Sequence, residues 1–257
     1  MKFPNHVIDT FADRMGFDLE RSAIMACRRG SQVYGTATNV SDDDFFVVVI
    51  PPLQKMLGLS TFDNWTFQDD TVDVVVYSLR KYVGLLLKNN PSVLETLWYR
   101  NEDYDPELTT SAFAHIKFGR DMFSSLRAYH SFSGYAYDQL RRMTLNVTSG
   151  YMGEKRRQLV TQFGYDTKNA SHLLRLYRMG TEFVETGVMT VFRPDADELL
   201  AVKQGKWTLE QVKAEAECLK ARMEAAKDHS PLPAEPDTER AERVMLHLLR
   251  YAIHNEW

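Results

Sequence analysis

Gly30-Ser31-Gln32-Val33-Tyr34-Gly35-Thr36-Ala37-Thr38-Asn39-Val40-Ser41-Asp42-Asp43-Asp44-Phe45-Phe46-Val47-Val48-Val49-Ile50 is the stretch on which the reading of this chain turns. A glycine–serine turn is followed, after a spacer of ten residues, by three aspartates that run into six apolar residues. A continuous apolar run closed by Pro51-Pro52 predicts a strand buried on both faces. Side chains two apart on a strand share a face, so Asp42 and Asp44 can hold hard cations between them. The amides and hydroxyl of Gly30-Ser31 offer donors to a phosphate. A divalent metal beside a phosphate cradle is the machinery of nucleotidyl or phosphoryl transfer. Taken alone, an acidic turn before a strand is common and says much less.

The flanking sequence adds weight. Residues 5–17 read as a short helix and 22–27 as a strand. Residues 53–70 read as an irregular or helical insertion, and 72–77 as a second buried strand. Asp73 stands at the start of that strand, where its charge is costly unless paired or metal-bound. It is therefore the natural third carboxylate of a two-metal site. Residues 79–87 carry helical spacing, and Asn90-Pro91 closes that helix, because a residue before proline avoids the α region. Ser92-x-x-Glu95 reads as a capping box for a helix through Trp98.

Beyond Pro106 the strand signal fades. Residues 110–200 show helical periodicity broken at Gly134, Gly150, Gly153 and Gly164. Tyr135 and Tyr137 either stack on a base or pack in the core, the commoner fate at that spacing. Asp166 reads as an N-cap, and Lys168, His172 and Arg175 share one face of the helix it opens. That stripe either grips a triphosphate or an acceptor's backbone, or is a plain basic face. Thr208-x-x-Gln211 opens a charged helix to about residue 227. Residues 229–237 form a proline-rich connector, and 238–254 a last amphipathic helix. The fold class is α+β, with a sheet domain over 1–108 and a helical domain with a basic face over 109–257.

Composition bounds these readings. The 257 residues are 44% hydrophobic and 26% charged, as in ordinary soluble proteins. The net charge of −4 carries no nucleic-acid signature. Its distribution does: residues 111–180 carry +7 and the rest −11, which suits one surface offered to a polyanion. Cys27 and Cys218 are too few and too far apart for a disulfide framework or a metal knuckle. A reducing, cytoplasmic setting is expected. The first twenty residues lack the apolar core of a signal peptide, and the run at 45–50 is far too short to span a membrane, so no membrane partner is expected.

The pattern Gly30-Ser31-x-x-Tyr34-Gly35-x5-Ser41-Asp42-x-Asp44 resembles the nucleotidyltransferase superfamily of DNA polymerase beta. More closely, it is similar to the RNA repair pathway DNA polymerase beta family. The likeness continues through Asp73-Val-Val-Val-Tyr77-Ser78-Leu79-Arg80-Lys81 and Asn90-Pro91-Ser92-Val93-Leu94-Glu95. It extends to Gly164-Tyr165-Asp166-x-Lys168-x3-His172-x2-Arg175-Leu176. The four ordered blocks are far more specific than the first alone. The resemblance implies a palm-like mixed sheet with flanking helices and a metal-dependent transfer of NMP from an NTP. Asp42, Asp44 and Asp73 would be the catalytic, metal-bound carboxylates, holding Mg²⁺ or Mn²⁺. Gly30, Ser31, Ser41, Lys168, His172 and Arg175 would bind the nucleotide, with ATP or CTP as the expected triphosphate. The expected acceptor is a tRNA-like RNA 3′ end, with release of pyrophosphate. A protein hydroxyl as acceptor and a non-catalytic nucleotide- or RNA-binding module are the alternatives.

One residue departs from the pattern. The centre of Asp-x-Asp is usually apolar, and here it is Asp43. Either the strand begins one residue later and Asp43 is solvated, or the metal register is Asp43 plus another group. The period of the strand favours Asp42 and Asp44, because a one-residue slip turns every side chain over.

Overall fold

A computed structural model describes residues 2–38, 41–145 and 154–254. Its elements run α1 (Asn5–Met15), α2 (Leu19–Ser22), β1 (Ala23–Arg29), α3 (Ser31–Tyr34), β2 (Asp43–Val49), α4 (Leu53–Leu57), β3 (Asn64–Gln68) and β4 (Val72–Ser78). There follow α5 (Leu79–Leu87), α6 (Pro91–Leu94), α7 (Ser111–Phe118), α8 (Arg127–Leu145), α9 (Glu154–Phe163), α10 (Thr167–Thr186), α11 (Ala196–Lys203), α12 (Leu209–Ala226) and α13 (Thr238–His254). The mixed α+β class read from the sequence is the class found. Two compact units divide the chain. The sheet unit comprises Met1–Leu87, Ser92–Phe123 and Pro236–Trp257, and the helical unit Lys88–Pro91 and Ser124–Glu235.

The sheet has the order β1-β2-β4-β3, with β2 and β4 parallel and both edge pairs antiparallel. The two central strands explain the long apolar runs. Phe45, Val47 and Val49 of β2 and Val72, Val74 and Val76 of β4 face a cluster with Val7 and Phe11 of α1. The alternate residue Phe46 turns the other way, onto Tyr77 and the buried Tyr82 of α5, with ring centroids 5.2 and 5.9 Å away. A strand covered on both faces has no polar alternation left to show.

Local rules account for most boundaries. α1 stops at Met15 because Gly16 takes the left-handed conformation, φ 73°, and its amide returns to the Ala12 carbonyl. Asp166 caps α10 by accepting from the Asn169 amide at 3.0 Å, as its position predicts. Thr208 and Gln211 form the reciprocal capping box of α12, also as predicted.

Three expectations yield to the structure. The segment 53–70 holds β3, an edge strand whose Trp65 enters the core against Phe11 at 5.2 Å. Its five residues are too short for periodicity to stand out. Gly134 interrupts nothing, because α8 runs through it and its intrahelical hydrogen bonds need no side chain there. Tyr135 and Tyr137 on the same helix are exposed rather than packed, and the Tyr135 hydroxyl accepts from Asn90 Nδ2 at 2.5 Å. The expected breaks at Gly150 and Gly153 lie outside the described residues.

In the helical unit α10 packs against α8, α11 and α12. Gly180 lets α8 come close: a Cβ there would sit 2.8 Å from Phe132 Cβ.

Candidate functional site

The site is built on one row of the sheet. In the parallel β2–β4 pair Asp44 stands opposite Asp73, and in the antiparallel β1–β2 pair Arg29 stands opposite Asp44. Paired residues of adjacent strands point to the same face. Arg29, Asp44 and Asp73 therefore project together on the side of Phe46 and Tyr77, away from α1. All three are half-buried.

Asp43 takes the opposite face. Strand β2 begins at this residue, whose amide donates to the Thr71 carbonyl at 3.2 Å. It pairs with Val72 and shares the α1 side with Phe45, where its carboxylate accepts from Gln32 Nε2 at 3.4 Å. Both readings of Asp43 from the sequence thus miss its actual partner. Asp42 precedes the strand and is exposed. Ser41 spends its hydroxyl on the loop, accepting from the Thr38 amide at 2.9 Å.

The glycine–serine turn abuts this row. Gly30 has φ 70° and ψ −145°, a combination essentially reserved to glycine. A Cβ at Gly30 would overlap Oδ2 of Asp44, so this position needs glycine for its backbone and for room. Ser31 begins α3, which Gly35 ends at φ 75°.

Two supports behind the row escaped the sequence reading. Glu95, 2% exposed, accepts from the Tyr34 hydroxyl at 2.5 Å and from the Tyr99 hydroxyl at 3.1 Å. It thereby ties α3 to the segment after α6. Its reading as the partner of Ser92 in a capping box is replaced: α6 starts at Pro91, a first-turn position that suits proline. Burial, with Glu95 adding to it, raises the pKa of Tyr99, so the phenol stays a donor. The second support is Asp69. Its Oδ1 accepts from the amides of Thr71 and Val72 at 2.8 and 2.9 Å, and these bonds hold its pKa well below the usual carboxylate range. The turn so formed joins β3 to β4 and sets where the strand that carries Asp73 begins. Asp69 and Asp70 end the segment read as an insertion, but which atoms Asp69 caps depends on a strand that periodicity did not reveal.

The cationic stripe of α10 lies in the helical unit. Lys168 is exposed, His172 half-buried, and Arg175 only 6% exposed, with Nη1 3.1 Å from Met179 Sδ. The spacing does put the three on one side of the helix, but that side descends into the unit.

A cavity of about 410 Å³ opens elsewhere in the helical unit, lined among others by Arg178, Glu182, Arg193, Asp195 and Arg222. Its charges are matched. Arg193 donates to Glu182 and Asp195 at 2.7 Å, and Arg178 to Asp195 at 2.6 Å and Glu198 at 2.7 Å. Burial works against the charge of Arg193, yet the carboxylates outweigh it and raise its pKa. For Asp195 burial pushes upward, and the two guanidiniums outweigh that and lower it. This is the arrangement of a structural ion network rather than of a site awaiting an anion.

Asp44 and Asp73 suit a hard cation by donor chemistry. Mg²⁺ is commonly held by one or two carboxylates together with substrate phosphates and water. Asp42 is not drawn into the pair, and among the described residues no three His, Cys, Asp or Glu side chains converge as a metal centre. Likewise, no described helix is long and apolar enough to cross a membrane.

The model of the RNA repair pathway DNA polymerase beta family matches residues 8–247. No curated protein matches the chain. Among solved structures, a nucleotidyltransferase-like protein from Exiguobacterium sibiricum 255-15 is similar at 11% identity, with a TM-score of 0.28. That likeness covers 96% of this chain and 78% of the other, and is too low to carry an argument.

Proposed function

Because the chain belongs to the RNA repair pathway DNA polymerase beta family, whose members are of the nucleotidyltransferase type, we propose that it transfers NMP from an NTP to the terminal hydroxyl of an RNA. The observation that carries this reading is the strand register that sets Asp44 beside Asp73, with Gly30 held against the Asp44 carboxylate. Two half-buried carboxylates side by side repel each other, and a fold keeps such a pair where a cation or a proton transfer uses it.

Asp44 and Asp73 would hold Mg²⁺ or Mn²⁺, which when bound neutralises phosphate charge and acidifies a hydroxyl. The chain's own groups do the rest. Ser31 and the amides of the turn donate to the β- and γ-phosphates, and Gly30 lets those phosphates approach the backbone. Asp73 accepts the proton of the attacking hydroxyl. That oxygen bonds to the α-phosphorus as the bond to the bridging oxygen breaks, and pyrophosphate leaves. Glu95, through Tyr34, keeps α3 and its turn in place. In the helical unit the exposed Lys168 is the member of the stripe available to RNA phosphates.

The test is to incubate the protein with each labelled NTP, Mg²⁺ or Mn²⁺, and total RNA. The reading requires label on RNA and its loss in Asp44→Ala. Label on protein would move the acceptor to a side chain. No label on any acceptor, or equal transfer by Asp44→Ala, refutes the proposal.

A further inference from the structure

The carboxylate row has a cationic member that the reaction as proposed does not yet use. Arg29 ends β1 directly across from Asp44, on the face that Asp44 and Asp73 share. The electrostatics of its neighbour agree. Cys27, two residues earlier on the same face, is pushed up in pKa by burial, and the charge of Arg29 pulls it the other way. Arg29 is half-buried, yet it forms no ion pair and no side-chain hydrogen bond among the described residues. Arg100 and Arg240 of the same unit are each held by carboxylates. A guanidinium beside a carboxylate ordinarily closes a bidentate pair with it. Here the fold keeps a cation in the row and leaves its donors unspent.

Resting on the nucleotidyl-transfer reading, we infer that Arg29 binds the β- or γ-phosphate of the NTP, the group that departs as pyrophosphate. Gly30 and Ser31 follow it directly in the chain, so it stands on the side of the row that this reading gives to those phosphates. Negative charge grows there as the α–β bridge breaks, and a preorganised guanidinium stabilises it. A role confined to offsetting the charge of the two aspartates would leave recognition of the phosphate chain untouched.

The experiment titrates a fluorescent NTP with a non-hydrolysable α–β linkage, and the matching NMP, into wild-type, Arg29→Gln and Arg29→Lys proteins with Mn²⁺. A hydrogen bond to a charged group sets the expected loss for Arg29→Gln at about 10- to 100-fold in triphosphate affinity, with NMP affinity nearly unchanged. Arg29→Lys falls between, because it keeps the charge and loses the fork. If both variants keep the wild-type ratio of NTP to NMP affinity, the role of Arg29 is overturned and nucleotidyl transfer stands. If the wild-type protein binds neither nucleotide, that reading fails and Arg29 with it. A circular-dichroism melt checks folding, and should Arg29→Gln not fold, the same ratio in Arg29→Lys decides.

Discussion

The arginine cluster of the helical unit and the carboxylate row of the sheet unit treat charge in opposite ways. In the helical unit Arg178 and Arg193 are almost enclosed, and each donor that matters is met by a carboxylate of Glu182, Asp195, Glu198 or Glu215. In the sheet unit Arg29 and Asp73 stand half-buried on one row and form no ion pair among the described residues. Charge that is matched at close range locks helices together. Charge that a fold collects and leaves unmatched is costly to keep, and a ligand that supplies the missing partners offsets that cost. Pocket size does not follow this contrast: the 410 Å³ cavity belongs to the matched network.

The contrast makes the units respond differently to substitution. The largest effect belongs to Asp73→Asn. Removal of a charge that acts on the developing transition state is expected to cut transfer about 1,000-fold, several kcal/mol in barrier, with the melting temperature held or raised. A variant that melts early but still transfers would place Asp73 with the scaffold. Arg193→Met is expected to do the reverse. It leaves Glu182 without its buried cation and Asp195 with Arg178 alone, and costs about 3 kcal/mol in urea unfolding, at the low end because Glu182 reaches solvent. Transfer per folded molecule should be unchanged.

Gly30→Ala probes the seam where backbone and chemistry meet. The positive φ and the overlap with Asp44 predict about 2 kcal/mol of destabilisation together with a fall in transfer. If either readout moves without the other, the turn and the carboxylate are not coupled as described. The smallest effect is one of pH. The pKa of Asp195 is lowered in the folded protein, so its contribution is full above the ordinary carboxylate range and is lost as pH falls through the folded value. Wild-type and Asp195→Asn proteins should differ in unfolding free energy at pH 7, and the gap should narrow as the pH falls below about 4. A gap that does not narrow as the pH is lowered further would remove Asp195 from the network.

Much of the sheet unit is legible from local order. The run at 45–50, the glycine–serine turn before it and Asp73 at the next strand are each short-range patterns, and strand alternation assigns Asp42 and Asp44 to one face. The caps at Asp166 and Thr208 are likewise local. Legibility fails where a residue's role depends on a partner far along the chain. Glu95 reads as a helix cap from its spacing to Ser92, whereas its bond to Tyr34 spans 61 residues. No local pattern singles out Arg29 until the register sets it against Asp44. Arg175 reads as one of a surface stripe, because spacing gives the side of a helix but not the depth of what packs on it.

Chain-local chemistry therefore sufficed for the family and the α+β class, since hydrophobic period, turn residues and ordered motifs act over a few positions. Strand order and register, the face taken by Asp43, and the enclosure of Arg175 and Arg193 came from packing between distant segments. Each of those depends on which surfaces bury each other, a choice made by the whole fold.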